Sequence, residues 1–243
     1  MVTKKVILFI VEGFADQDAL RAILTRIYRG NHEIRFCVVP GDVTSAYSSK
    51  AGPDGNPAYC TIEEVKSRIK STISEGVQDL KLKRKDIFQV IHLVDTDGAF
   101  APDTCVVYDA SASKFRYSET NIFSKQTDFV IDRNRHKVEM LRELIGCGEI
   151  DKYPYKVYFM SRNLDHALYN IPNLPLEEKT EQADAFYERF IGREMTFIDF
   201  LKSDVVNGVP DSYPASWRYI QEGMHSLERH TNLHILFKEH PIL

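Results

Sequence analysis

Four short apolar runs, separated by helical patterns, organise the first two thirds of the chain. The runs are KVILFIV at residues 5–11, IRFCVV at 34–39, IFQVIHLV at 87–94 and YKVYFM at 155–160. Short continuous apolar runs are typical of strands that are buried on both faces of a parallel sheet. Apolar residues at helical spacing predict helices near 20–28, 65–73 and 138–145, with Asp16 as the N-cap of the first. This alternation predicts an α/β fold with a Rossmann-like parallel sheet.

The rest of the chain divides into an irregular segment and a helical region. Residues 100–135 show no clear periodicity, and we expect an irregular insertion there. Helical patterns recur at 176–191, 195–202 and 214–229. We therefore predict an α/β domain over 1–170 and a helical C-terminal region over 171–243 that packs on it.

Composition narrows the class of protein. A hydrophobic fraction of 43% supports a sizeable core. A net charge of −4 excludes the overall positive surface that is typical of proteins that coat DNA non-specifically. The four cysteines form no CxxC pair, and no apolar run is long enough for a membrane span or a signal peptide. The histidines at 225, 230, 234 and 240 lack a tight zinc spacing and are expected at the surface. These features predict a cytoplasmic protein with no membrane contact.

Carboxylates follow two of the predicted strands. Glu12 comes directly after the first apolar run, and Asp95 and Asp97 end the third. Strands of a parallel sheet end at one edge, so the three carboxylates are expected to converge there. Converging carboxylates repel unless a cation joins them, and oxygen ligands select a hard ion such as Mg²⁺. The alternative is that the aspartates cap a turn and Glu12 is a solvated loop residue.

Two motifs give these acids a family resemblance. VEGFADQDAL at 11–20 and VDTDG at 94–98 resemble the Glu-Gly and Asp-x-Asp motifs of the Toprim domain, found in topoisomerases, primases, recombination mediators and overcoming-lysogenization-defect (OLD) nucleases. The resemblance implies a parallel α/β sheet, Glu12 as the acid/base or metal-binding glutamate, and Asp95 and Asp97 as ligands of Mg²⁺, with Mn²⁺ as a substitute. It also suggests Asp16 and Asp165 as further metal ligands. For Asp165, an ordinary carboxylate at a helix N-terminus is an equal alternative.

The resemblance favours a small nuclease of the OLD or primase type. Topoisomerases carry a third acid where this chain has Ala99, which argues against that branch. The expected activity is Mg²⁺-dependent phosphodiester hydrolysis of DNA or RNA, with a role in phage defence suggested by analogy alone. Oligomerisation and a partner protein are left open.

Substrate contacts are expected from glycines at strand ends and from a basic segment. Gly13 and Gly41 follow the first two predicted strands, and Lys83 and Arg84 belong to KLKRK at 81–85. A solvated loop is the alternative for the basic segment. A second basic cluster at 133–137 is interpreted as solvated.

Two other classes of function compete with the nuclease. DTDG at 95–98 also resembles the first motif of haloacid-dehalogenase-like phosphatases, with Asp95 as nucleophile and Asp97 as acid/base. The other is a non-catalytic Toprim-like protein that binds nucleic acid or a partner protein.

Overall fold

A computed structural model describes residues 4–52, 55–205 and 208–241. The strands in these ranges are β1 (Lys5–Val11), β2 (His32–Val38), β3 (Tyr47–Ala51), β4 (Pro57–Tyr59), β5 (Ile87–Asp95), β6 (Val106–Tyr108), β7 (Arg116–Tyr117), β8 (Ile122–Ser124), β9 (Glu149–Ile150) and β10 (Tyr153–Met160). The α-helices are α1 (Phe14–Tyr28), α2 (Ile62–Asp79), α3 (Thr127–Ile145), α4 (Leu164–Tyr169), α5 (Lys179–Phe190), α6 (Glu194–Phe200), α7 (Tyr213–Ile220) and α8 (His234–Glu239).

The central sheet has the strand order β2-β1-β5-β10-β9. Its first four strands are the four apolar runs, and they pair in parallel. The prediction of an α/β fold built on parallel strands is confirmed. The short edge strand β9 pairs antiparallel with β10, which makes the sheet mixed. Because β2 and β5 lie on opposite sides of β1, the order of the strands reverses there, and ligands of open α/β sheets bind at such points.

Helices cover both faces of this sheet. Alternate residues of β1 enter two different cores: Ile7 and Phe9 pack with α1, α5, α6 and α8, while Leu8 and Ile10 pack with α2, α3 and α7. The helices predicted in the C-terminal region therefore contribute to both cores. The last of them ends at Ile220, earlier than predicted. No helix in the described ranges has the length and apolar character needed to cross a membrane.

The prediction of an irregular insertion over 100–135 is wrong. The segment forms a small sheet with the order β6-β8-β7, and α3 already begins at Thr127. Strands of two or three residues are too short to show a period. The first turns of α3 escaped detection because their buried face carries Arg133, Asn134 and Lys137 in place of apolar residues.

The histidine prediction is also wrong for two residues. His230 and His234 are 5% and 3% exposed. His230 lies 3.1 Å from the carboxylate of Glu228, and His234 lies 3.3 Å from that of Asp211. Burial lowers the pKa of both imidazoles, so they are neutral structural groups at pH 7.

Candidate functional site

The carboxyl ends of β1 and β5 bring the three predicted acids to one edge of the sheet. Glu12 directly follows β1, and Asp95 is the last residue of β5. The backbone N–H of Asp95 lies 3.5 Å from Glu12 Oε1, which is at the outer limit for a hydrogen bond. The backbone N–H of Leu164 donates to Asp95 Oδ1 at 3.0 Å. The start of α4 thereby fixes the Asp95 carboxylate at this edge.

A tight left-handed turn positions Asp97. Asp97 and Gly98 have φ values of 50° and 68°, a conformation that glycine tolerates best. A Cβ at Gly98 would lie 2.4 Å from Leu227 Cδ2, so a larger residue does not fit. The N–H of Asp97 donates to the carbonyl of Arg162 at 2.8 Å. The turn therefore holds the Asp97 side chain on the same edge as Glu12.

Asp16 joins the same group of acids. It is the third residue of α1, and its Oδ2 accepts the N–H of Gly13, the N-cap, at 2.9 Å. The prediction of Asp16 itself as N-cap is therefore wrong by one turn. Burial, together with the negative charge of Asp165, raises the pKa of Asp16 to about 6 although Lys179 acts to lower it.

Asp165 is a further acid close to Asp16. It is the second residue of α4 and is 3% exposed, and its Oδ2 lies 2.6 Å from the ammonium of Lys179. This ion pair already balances the Asp165 charge. The structure therefore places Asp165 near the acidic group, where it is already paired with Lys179.

The interpretation of the basic cluster at 133–137 as solvated is wrong for Arg133 and Lys137, which are buried, and Lys137 lies within the site. Lys137 is fully buried, and its Nζ lies 2.6 Å from Asp97 Oδ2 and 2.9 Å from Asp42 Oδ2. Burial alone would lower the pKa of Lys137, but Asp42 and Asp97 raise it well above its ordinary value. Lys137 is therefore a permanent cation between two carboxylates.

Asp42 follows β2 and completes this ion-pair triad. Besides Lys137, it accepts hydrogen bonds from the N–H of Thr44 at 2.8 Å and from the hydroxyls of Thr44 and Ser45. Burial alone would raise the pKa of Asp42, but Lys137 and these donors hold it well below its usual range. The carboxylate is thus ionised and well supplied with donors.

Arg133 supports the same turn from one helical turn earlier in α3. Its Nη2 donates to the carbonyl oxygen of Asp97 at 3.2 Å, and its guanidinium lies 5.0 Å from the ring centre of Phe115. The spacing Val130, Arg133, Lys137 continues the apolar pattern of α3. That spacing was the available signal that these cations face the protein interior.

Glu12 and Asp95 have no comparable cation. Burial raises the pKa of both carboxyls well above the ordinary value. Asp42, Asp97 and Asp16 raise that of Glu12 further, and Glu12, Asp16 and Asp97 raise that of Asp95 further. Lys137 acts against this effect on each of them without cancelling it. Ionisation of either carboxyl would therefore place negative charge in this half of the site that its surroundings do not balance.

The donor chemistry of this half suits a hard divalent ion. Glu12, Asp95 and Asp97 offer carboxylate oxygens alone, the ligand type that Mg²⁺ and Mn²⁺ prefer. Over residues 4–52, 55–205 and 208–241, no three His, Cys, Asp or Glu side chains are gathered closely enough to hold a metal ion. Ion binding therefore requires these side chains to draw together.

The residues predicted to contact substrate fall into two groups. Gly13 and Gly41 lie at the site edge, where Gly41 adopts φ 72° just before Asp42. Lys83 and Arg84 precede β5 and lie at the opposite edge of the sheet, about 30 Å away along a nine-residue strand. Arg84 donates there to the carbonyl of Lys152. The structure does not bring Lys83 and Arg84 to the acidic site.

A cavity of about 470 Å³ lies next to Asp165, the one acid of this group that lines it. Its walls are the segments 111–117 and 172–176, and its remaining lining includes Asn163, Asp165 and Lys179. Two hydrogen bonds join the walls: the N–H of Tyr117 donates to Asn173 Oδ1 at 2.8 Å, and Asn173 Nδ2 donates to the carbonyl of Tyr117 at 2.9 Å. The cavity therefore has a defined shape beside Asp165.

The acidic edge and its cavity are the strongest functional features of the molecule. A fold alone does not define an activity, so these side chains must carry the assignment. No protein-family model, no characterised protein and no solved structure matches this chain.

Proposed function

We propose that this protein is a Toprim-like, divalent-metal-dependent phosphodiester hydrolase that acts on DNA or RNA. The observation that carries the proposal is the convergence of Glu12 with Asp95 and Asp97 beside the point where the strand order reverses. Ligands of open α/β sheets bind at such points. Burial and neighbouring acids disfavour the ionised forms of Glu12 and Asp95, and a bound divalent ion would balance the charge of those ionised forms.

Each acid has a distinct task in this proposal. Glu12, Asp95 and Asp97 Oδ1 would hold the ion, which supplies charge neutralisation for the phosphate. Glu12 would also accept a proton from the attacking water, the acid/base role that the Toprim resemblance implies for this residue. Lys137 keeps Asp97 oriented through its 2.6 Å ion pair with Oδ2. Asp16 adds negative charge beside Glu12.

The adjoining cavity is a suitable path for the nucleic-acid strand. Lys114 and Arg116 are exposed on its wall, and the half-buried rings of Phe115 and Tyr117 lie next to them. Cationic side chains interleaved with aromatic rings are typical of surfaces that bind single strands, because the cations contact phosphates and the rings stack on bases. This path leads to the acids without using the basic segment at 81–85.

We expect the double variant Lys114→Glu, Arg116→Gln to bind a single-stranded oligonucleotide about 10-fold more weakly. The salt dependence of binding should fall by about two phosphate contacts. The measurement is fluorescence anisotropy in a Glu12→Gln background, which prevents cleavage. The matched control is Lys83→Glu, Arg84→Gln at the opposite edge. A loss of affinity confined to the control variant would show that the oligonucleotide binds at the opposite edge instead.

The proposed activity is tested by Mn²⁺-dependent cleavage of plasmid, single-stranded DNA and RNA beside hydrolysis of a generic aryl phosphate. We expect cleavage of at least one polynucleotide that a chelator abolishes, and little turnover of the aryl phosphate. Turnover of the aryl phosphate alone, lost in Asp95→Asn and retained in Glu12→Gln, would instead indicate the phosphatase. Nucleic-acid binding with no turnover of any substrate would indicate a non-catalytic protein.

The structure gives the phosphatase less support. Asp97, the acid/base of that alternative, is held in an ion pair with Lys137. The nuclease proposal uses this ion pair, because Lys137 orients Asp97 as a ligand of the ion.

A further inference from the structure

The acidic site has two halves that differ in how their charge is balanced. One half consists of Asp42, Asp97 Oδ2 and Lys137, which is fully buried. The other consists of Glu12, Asp95 and Asp97 Oδ1. Asp97 belongs to both halves, because its two oxygens can serve different cations.

The first half is complete without any added ion. Lys137 contacts both carboxylates within 3 Å, and Asp42 also accepts three hydrogen bonds from Thr44 and Ser45. Asp42 has therefore little remaining capacity to bind a further cation. Lys137 reaches this position from α3, where one face of the helix is buried against the site.

The second half has the opposite character. No Lys or Arg side chain in the described ranges forms an ion pair with Glu12 or Asp95. The nearest cations, Lys137 and Lys179, are each already paired with another carboxylate. Two carboxyls in a partly buried position repel each other unless a cation joins them.

We propose that the ammonium of Lys137 is a permanent cation in the position that a second divalent ion would otherwise take, so the site binds one divalent ion. This inference rests on the proposed function. Many phosphodiester-cleaving sites use two metal ions, one on each side of the reacting phosphate. Here Lys137 supplies the charge on the Asp42 side, and the divalent ion binds on the Glu12 side. Asp97 is the carboxylate shared between the two cations.

The inference predicts the number of bound ions in wild type and in a variant. Wild-type protein should bind one Mn²⁺, counted by calorimetric titration and by electron paramagnetic resonance. The Lys137→Met variant should bind two, because Asp42 and Asp97 Oδ2 lose their cation and methionine offers no oxygen ligand. Adding Asp42→Asn to Lys137→Met should return the count to one.

Further measurements keep the inference testable if Lys137→Met fails to fold without metal. The single variant Asp42→Asn retains Lys137 and should bind one Mn²⁺ with affinity within about threefold of wild type. A tenfold or greater loss of affinity would show that Asp42 is a ligand and would overturn the inference.

The possible ion counts separate this inference from the proposed function. Two Mn²⁺ ions in wild type, or one in a folded Lys137→Met variant, would refute the role of Lys137 and leave a metal-dependent hydrolase intact. No bound Mn²⁺ in wild type would refute both proposals.

Discussion

The Glu12→Gln variant is expected to lose nucleic-acid cleavage by ~100-fold or more, a typical effect of removing a general acid–base group. The same variant should be more stable than wild type in metal-free buffer at pH 8. Glu12 lies among Asp42, Asp97 and Asp16, which raise its pKa together with burial. A carboxamide keeps the shape of the side chain and removes the repulsion. We expect a gain of about 1–2 kcal/mol in the free energy of unfolding, since functional sites are commonly destabilising.

The gain in stability should depend on pH in a defined direction. The folded pKa of Glu12 is raised above its unfolded value, so the folded state holds the proton more tightly. The cost of ionising Glu12 therefore grows as pH rises through the folded pKa and vanishes below the unfolded pKa. The difference in Tm between Glu12→Gln and wild type should be largest at pH 8 and should approach zero near pH 4.

A matched control separates the site from general charge removal. Asp18→Asn removes one carboxylate from an exposed position of α1. Its cleavage rate and its Tm should equal those of wild type within experimental error. Retained cleavage in Glu12→Gln would remove Glu12 from the chemistry. An unchanged Tm at every pH would show that Glu12 is not under the electrostatic stress inferred for it.

The sequence predicted the parts of this fold that are built from apolar patterns. β1, β5 and β10 were found because most of their residues are buried and apolar, whereas the edge strand β2 was found from its apolar run although it is only partly buried and contains Arg35. Their common direction then places Glu12 and Asp95 at one edge without any knowledge of distances. The edge strand β9 was missed because two residues carry no periodic signal.

The failure to predict Lys137 and Arg133 as part of the site has a different cause. Lys137 and Arg133 lie on the buried face of α3, but a pattern search treats buried positions as apolar and assigns cations to solvent. Their burial is possible because Asp42 and Asp97 are delivered by distant parts of the chain. A charge is buried in a protein when a partner is present, and that partner is a property of the tertiary structure. Lys137 could have been predicted by extending the helical spacing of α3 to cations and by requiring a partner for the acids at the strand ends.

The Lys137→Met variant is expected to lose about 3–5 kcal/mol of unfolding free energy in metal-free buffer, because breaking a buried ion pair leaves uncompensated charge inside the protein. Lys137 is fully buried between Asp42 and Asp97, and both carboxylates would be stranded by the substitution. A loss of this size corresponds to a decrease in Tm of about 6–20 °C for a chain of this length. Chemical denaturation followed by circular dichroism measures it directly.

The control for Lys137→Met is a lysine in an exposed ion pair. Lys70 lies 3.0 Å from Asp151, with 54% of its side chain exposed, so Lys70→Met should cost less than about 1 kcal/mol. Adding Asp42→Asn to Lys137→Met should recover part of the loss, since it removes one stranded charge. The wild-type pKa of Asp42 is held below its usual range. The stability that Asp42 derives from Lys137 is therefore present above the unfolded pKa of Asp42 and is lost as pH falls. The difference in unfolding free energy between wild type and Lys137→Met should accordingly narrow below about pH 4. Equal losses for the Lys70 and Lys137 variants would show that the buried triad contributes no more than a surface pair.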